Sequence, residues 1–281
     1  MRLRPLAPVA VLAAFAVFAP PARASEPAPL AAFIRETYTK YEQLVPMRDG
    51  TRLFTAVYAP KDAGPAKRYP ILMLRTPYSV GPYGIDAYPD SLGPSEAAAR
   101  EKFIFALQDV RGRVMSEGTF VDVRPFAPKK GPKEFDESSD AFDTVDWLVK
   151  SVAHNNGKVG AWGISYPGFY AAMAAIDAHP ALVAVSPQAP IADWFAGDDF
   201  HHNGAFFLPH AFNFYASFGK PRPEPTTKRP ERFDHGTHDG RRRTRCAPGR
   251  NRHGDQGLDG DRRRRVGVER APARDPGGVR P

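Results

Sequence analysis

An α/β fold with a mostly parallel sheet and flanking helices is predicted for this 281-residue chain from three observations. Strand-like and helix-like segments alternate between residues 51 and 186, as a succession of βα units requires. Two of the strand-like segments are near-continuous apolar runs, the pattern of strands covered on both faces. A third runs through a Gly-x-Ser turn directly into an Ala-rich helix. A hydrophobic content of 42% is enough to bury the core such a domain needs.

The first 24 residues read as an export signal. Arg2 and Arg4 precede an apolar run from Val9 to Phe18, and Ala22-Arg23-Ala24 supplies a small-x-small cleavage pattern. The run is shorter than the roughly 20 apolar residues that span a bilayer, so the mature chain is expected to start near Ser25 and to be periplasmic or secreted, without a membrane association. Thr51 to Ala59 is rich in β-formers and ends at Pro60; Tyr69 to Arg75 and Phe103 to Val110 are the two apolar runs. Asp140 to Lys150 carries a broad helical stripe of Phe142, Val145, Trp147, Leu148 and Val149, with Ser138 or Ser139 available as its cap. Val159 to Trp162 is a short strand after an Asn155-Asn156-Gly157 turn. Tyr166 to Ala178 is helical, since Pro167 is tolerated in a first turn, and Leu182 to Ser186 is the next strand. From Ile191 onward an aromatic, Asp- and His-rich stretch without clear period looks like the start of a helical cap over a site.

Chemistry concentrates at Gly163-Ile164-Ser165-Tyr166-Pro167-Gly168. A serine hydroxyl becomes a nucleophile when a base takes its proton and the resulting oxyanion is stabilised, and a strained strand-to-helix elbow supplies the geometric half of that need. The spacing here is G-x-S-x-x-G, one residue from the usual pattern, but the strand running in through Trp162 and the helix running out are the context the elbow demands. Ser165 is therefore the candidate nucleophile, against the plainer reading of a structural serine in a βα turn. Tyr166 N–H, at the positive end of that helix, is placed to face a developing oxyanion. Tyr78, just after the YPILMLRTP strand, is either the second donor, through its phenol, or a packing aromatic.

These residues resemble the X-Pro dipeptidyl-peptidase, cocaine esterase and α-amino-acid ester hydrolase group of α/β-hydrolases. The likeness runs from about Tyr41 to Asp239 and rests on MRDGTRL, RTPY, DVRGRVMSEGTF, DAFDTVDWL, WGISYPG and GDDFHHNGAF. It implies a serine hydrolase acting on a small-molecule ester or an amide or peptide, with no cofactor, and an oxyanion hole made by the Tyr166 amide and the Tyr78 hydroxyl. In the α-amino-ester members a carboxylate cluster receives the substrate ammonium, which implies Asp199, or its neighbour Asp198, here. The alternative for both is a solvated or helix-capping acidic pair.

The resemblance also sets an order of Ser, then Asp or Glu, then His. After Ser165 the histidines are His179, His201, His202, His210, His235, His238 and His253, and none follows a strand in the place of the base. The base and acid are thus expected not to be encoded, leaving an incomplete α/β-hydrolase fold, or a catalytically inactive truncated fragment. His201 and His202 beside Asp198 and Asp199 suggest metal ligands, but adjacent strand residues point to opposite faces, so no metal is expected. Arg111 and Arg113 in DVRGR read as salt-bridge donors rather than an anion site.

The net charge of +8 is local. Residues 229–281 hold 15 Arg, no Lys and 8 acidic residues, so they carry seven of the eight net charges, and the balanced remainder gives no reason to expect a nucleic-acid partner. The tail, which holds the single cysteine, Cys246, has too few apolar residues to fold. A polyanion-binding arm, a solvated linker and a reading-frame slip near Asp239-Gly240 compete for it; the disorderly Arg, Gly, Pro and Ala mixture favours the slip. The expected organisation is signal 1–24, hydrolase-domain front part 25–190, cap-like segment 191–240 and disordered tail 241–281.

Overall fold

The computed structural model describes residues 28–193, 199–218, 220, 222 and 224–228. The expected signal and tail, Cys246 and Asp198 lie outside them. The elements run α1 (Leu30–Thr37), β1 (Tyr38–Pro46), β2 (Arg52–Pro60), β3 (Tyr69–Thr76), α2 (Glu96–Arg100), β4 (Ile104–Asp109), α3 (Glu137–Ser151), β5 (Asn155–Ile164), α4 (Tyr166–Ala174), β6 (Leu182–Gln188), a short hairpin β7 (His201–His202) and β8 (Ala205–Phe206), and α5 (Leu208–Phe218).

Six strands form one sheet in the order β1-β2-β4-β3-β5-β6. The β3–β4, β3–β5 and β5–β6 pairs are parallel, with Ile71 opposite Ile104, Met73 opposite Ala161 and Ile164 opposite Gln188. The β1–β2 and β2–β4 pairs are antiparallel. The mostly parallel sheet with flanking helices read from the sequence is therefore present, extended by the β1 hairpin arm that the sequence reading did not anticipate. The apolar runs in β3 and β4 are covered on both faces. On one side Met73, Ala106, Val145, Leu148 and Val159 pack together beneath α3; on the other Ile34, Tyr38, Phe54, Leu92 and Phe105 join α1 to the sheet.

Three element boundaries differ from expectation, each for a local reason. α3 starts at Glu137, and its cap is Asp136 rather than Ser138 or Ser139. The Asp136 carboxylate accepts Ser139 N–H at 2.9 Å while Ser139 Oγ meets Asp136 N–H at 2.8 Å, a reciprocal capping box; Ser138 Oγ instead donates to Ile176 O. β5 begins at Asn155, so the residues expected as a turn form the irregular start of the strand, where the register with β3 shifts between Tyr69 and Ile71. α4 stops at Ala174 rather than Ala178, and Asp177 takes a positive φ of 50° in the turn that follows.

Candidate active site

The parallel register brings the C-terminal ends of β3, β4 and β5 to one edge of the sheet, and the residues singled out in the sequence gather there. β5 ends at Ile164, and Ser165 turns the chain into α4 with φ 63° and ψ −120°. This is a conformation that non-glycine residues adopt at a cost of about 1–3 kcal/mol. Its backbone is held on both sides: Ser165 N–H donates to Gln188 O of β6 at 2.9 Å, and Ser165 O accepts Phe169 N–H at 3.1 Å. The side chain is exposed, and among the described residues its hydroxyl has no hydrogen-bond partner.

The glycines at −2 and +3 explain the unusual spacing. A Cβ on Gly163 would fall 2.2 Å from Pro167 O, and one on Gly168 would fall 2.5 Å from Gln188 O and 3.2 Å from Gly163 O. The turn closes so tightly on β6 that the position abutting its backbone is the third after the serine, while Pro167 occupies the second within the first turn of α4.

Tyr166 supplies the first amide of α4, at the positive end of the helix. Its side chain is fully buried, stacked on Tyr170 and Phe218 at 5.3 and 5.9 Å, and its hydroxyl donates to Asp122 Oδ1 at 2.7 Å while accepting Val123 N–H at 2.8 Å. Burial pushes its phenol far above the usual range. Asp122 also accepts Tyr215 Oη–H at 3.1 Å, so one carboxylate joins the elbow helix to α5. Nothing in the sequence marked Asp122, which lies in a patternless loop.

Tyr78 follows β3 and packs edge-on against Tyr166 and Phe218, with ring centres 6.2 and 5.7 Å away. It is 49% exposed, and its hydroxyl has no hydrogen-bond partner among the described residues. Burial, then Asp122, raises its phenol; the Arg113 guanidinium opposes them and the Asp199 carboxylate adds to them. Asp199, just before the β7–β8 hairpin, is thus within electrostatic reach of both Tyr78 and Tyr215. The structure brings Ser165, Tyr166 and Tyr78 to one end of the sheet, with Asp199 electrostatically coupled to Tyr78.

The two arginines of DVRGR differ. Arg111 is buried between Asp49 and Asp140, at 2.7 and 2.6 Å, with its guanidinium 3.7 Å from the centre of the Phe135 ring. Burial works against its charge, but the hydrogen bonds to Asp140 and Asp49 outweigh that and raise its pKa. It is a salt-bridge donor, as read. Arg113 has no carboxylate partner among the described residues: it donates from Nε to Pro77 O at 2.9 Å and lies against the rings of Phe120 and Phe218. Burial lowers its pKa.

No described histidine hydrogen-bonds Ser165. His179 has a carboxylate neighbour, with Nε2 3.4 Å from Asp146 Oδ1, and its ring packs on Phe142 at 4.8 Å. It precedes β6, however, whereas Ser165 is bonded to the last residue of that strand. Seven residues of extended chain separate the two by about 20 Å. His201 and His202 sit on the β7–β8 hairpin, and among the described residues no group of three or more His, Cys, Asp or Glu is arranged to hold a metal ion.

The chain has relatives among known proteins. Residues 49–254 match X-Pro dipeptidyl-peptidase (S15 family). The chain is similar to cocaine esterase from Rhodococcus sp. (strain MB1 Bresler), 30% identical over 176 residues that make up 63% of this chain and 28% of that protein. Among solved structures it is similar to an α-amino acid ester hydrolase, at 41% identity and TM-score 0.57 over 64% of this chain and 30% of that one. It is also similar to an aminopeptidase from a marine sediment Thaumarchaeota archaeon, at 31% identity and TM-score 0.62 over 79% of this chain and 36% of that one. The match thus spans about a third of the length of these relatives. On the match over residues 49–254, the chain belongs to the X-Pro dipeptidyl-peptidase (S15) family, whose members are hydrolases of esterase and peptidase type.

Proposed function

We propose that the protein hydrolyses an ester or amide through an acyl-enzyme on Ser165. The observation that carries the reading is the Ser165 backbone: a non-glycine residue held at positive φ between a parallel strand and a helix N-terminus, with its hydroxyl exposed and unpaired among the described residues. Strain of this kind persists where the surrounding structure over-determines it, and it projects Oγ toward an incoming carbonyl. Ser165 Oγ attacks the carbonyl carbon, and its proton passes to a base. Tyr166 N–H and Tyr78 Oη–H hold the oxyanion; the bond to the leaving group then breaks and the leaving group takes the proton. Water then attacks the acyl-serine, giving a proton to the base; the bond between the acyl carbon and Ser165 Oγ breaks, Oγ takes the proton back, and the carboxylic acid leaves.

No base or acidic partner is assigned among the described residues: none of their histidines bonds Ser165, and His179 and Asp146 stand at the opposite end of the sheet. The substrate class is an ester or amide with a small acyl group, and the Asp199 carboxylate near Tyr78 favours one bearing an α-ammonium. We also propose export, with cleavage before Ser25, which N-terminal sequencing of the chain expressed in a bacterium tests directly. Labelling of the full chain with a fluorophosphonate tests the nucleophile: label on the parent that is lost in Ser165→Ala supports it, and label that survives Ser165→Ala excludes it.

A second reading, a chain that turns nothing over unaided, is favoured by the absence of any histidine bonded to Ser165 among the described residues. Loss of the base costs a triad enzyme several orders of magnitude in rate. Ester turnover by the purified full chain well above the buffer rate would exclude this reading.

A further inference from the structure

The Tyr78 loop is tied on both sides of the tyrosine to a single stretch of chain, Asp109 to Arg113. Upstream, Arg113 Nε–H donates to Pro77 O at 2.9 Å. Downstream, Asp109 takes hold of the loop twice: Oδ1 accepts Val80 N–H at 3.0 Å, and Oδ2 accepts Tyr83 Oη–H at 2.9 Å. Tyr83 Oη is in turn 2.9 Å from Ser79 Oγ, which accepts Gly81 N–H at 3.1 Å. Thr76 Oγ1 accepts Tyr78 N–H at 3.1 Å. Every anchor falls on a neighbour or on the backbone, so the Tyr78 phenol is left exposed above a fixed main chain.

The anchors are themselves held by further contacts. Asp109 is fully buried at the end of β4, where Oδ2 also accepts Met115 N–H at 3.2 Å and its carbonyl accepts Ser116 Oγ–H at 2.6 Å. Arg113 lies against the rings of Phe120 and Phe218, 5.1 and 4.6 Å from their centres, and Phe218 also touches Tyr78. A buried carboxylate that takes two of its three side-chain hydrogen bonds from one loop, and a half-buried guanidinium with no carboxylate partner among the described residues that gives its Nε–H to the same loop, are costly choices for mere loop closure. Arg113 and Tyr78 share contact with the Phe218 ring, and the guanidinium charge is within electrostatic reach of the phenol, which makes its O–H a stronger donor.

We infer that Asp109 and Arg113 are positioning residues that fix the Tyr78 hydroxyl for oxyanion binding, and that Arg113 in addition polarises it. This rests on the proposed role of Tyr78. Positioning to within about 0.5 Å is what such a donor requires, and a clamp on residues 77, 80 and 83 supplies it without obstructing the hydroxyl.

The test uses the full chain and two readouts. The first is the second-order rate of fluorophosphonate labelling in Asp109→Asn, Arg113→Lys and Tyr83→Phe, each alone and combined with Tyr78→Phe. The second is the Cζ resonance of Tyr78 in ¹³C-tyrosine-labelled protein, assigned by its loss in Tyr78→Phe. We expect Asp109→Asn and Arg113→Lys each to slow labelling about tenfold and to shift or broaden the Tyr78 resonance, leaving that of the remote Tyr41 in place. Neither should slow labelling further once Tyr78 is Phe. Tyr83→Phe removes one donor and keeps the fold, so it should produce the same changes at two- to threefold if Asp109→Asn does not fold. An equal slowing in the Tyr78→Phe background, or a Tyr78 resonance unmoved in all three variants, overturns the inference. Parent-rate labelling of Tyr78→Phe instead overturns the oxyanion role of Tyr78; the clamp is then decided by the resonance alone, as it is if no variant labels.

Discussion

Gly168 lies against the backbone of Gln188, so closely that a Cβ built on it would stand 2.5 Å from the Gln188 carbonyl oxygen. That oxygen also accepts Ser165 N–H, so the contact cannot open without releasing the elbow. Gly168→Ala should therefore destabilise the protein by about 1–3 kcal/mol, the usual cost of overpacking. It should also reduce labelling of Ser165 by more than the loss of folded protein accounts for. Gly64→Ala is the control: its Cβ would meet nothing within 4 Å and its φ is not positive, so it should be neutral. Urea unfolding of the two variants, read beside their labelling rates, decides the matter. Equal stability of Gly168→Ala and parent would mean the elbow is looser than its geometry implies.

The elbow was legible in the sequence because it is local: strand, turn and helix are adjacent, and the glycines report close backbone approach. β3 and β4 were legible because strands buried on both faces become apolar throughout. β1 was not. It is the edge strand of the sheet, with Tyr38, Lys40 and Val45 buried and the rest half-buried or exposed, and Lys40 is buried only because three backbone carbonyls and Glu42 receive its ammonium. Nor was the cap of α3 legible, since its first turn is polar yet buried: Glu137 meets Arg75 and Asp140 meets Arg111, partners far away in the chain. At the site, Ser165 and the Tyr166 amide followed from local pattern. Asp109 and Asp122 act through residues 26 to 44 positions away and left no periodic trace.

Arg111 should behave as part of the fold, not of the chemistry. Both it and Asp140 are almost inaccessible, and Asp49 closes the other side of the guanidinium. Breaking a buried pair strands the remaining charge, so Arg111→Gln should cost about 3–5 kcal/mol. Arg52→Gln, which breaks the exposed pair with Glu117, should have little effect. Thermal or urea unfolding measures both. At a temperature where Arg111→Gln is still folded, its Ser165 should label at the parent rate; slower labelling would mean that Arg111 reaches the site.

Asp109 gives stability a pH dependence of defined sign. Burial raises its carboxyl from 3.8 to about 6, against the hydrogen bonds from Met115, Tyr83 and Val80, which favour the ionised form. Between those two values the native state binds more protons than the unfolded chain, so this group's contribution falls as pH rises. The loss begins near pH 4 and is complete somewhat above pH 6, amounting to roughly 3 kcal/mol at 1.36 kcal/mol per pKa unit. In Asp109→Asn the contribution is absent. The stability of the parent minus that of the variant should therefore decline from pH 4 to pH 7 in urea titrations. A difference that grows over that range would mean that the hydrogen bonds, not burial, dominate at Asp109.

On the proposed function, Asp199 is the residue at which substrate selectivity is tested. An α-ammonium group entering the site leaves water and needs a carboxylate to offset that loss. The Asp199 carboxylate is the acidic group of the β7–β8 segment whose charge reaches Tyr78, and hence the position proposed for the oxyanion. Esters of an α-amino acid should then be hydrolysed with a higher kcat/KM than their desamino analogues. One charge-assisted hydrogen bond is worth about 1.5–3 kcal/mol, so Asp199→Asn should lower that preference by roughly tenfold or more. The rate on the desamino ester should hardly change, because that substrate makes no use of the carboxylate. Equal rates on the two esters in the parent would remove Asp199 from substrate recognition and leave it an acidic residue at the entry to a hairpin. A preference that survives Asp199→Asn would move the ammonium site elsewhere, with the neighbouring Asp198 the next position to substitute.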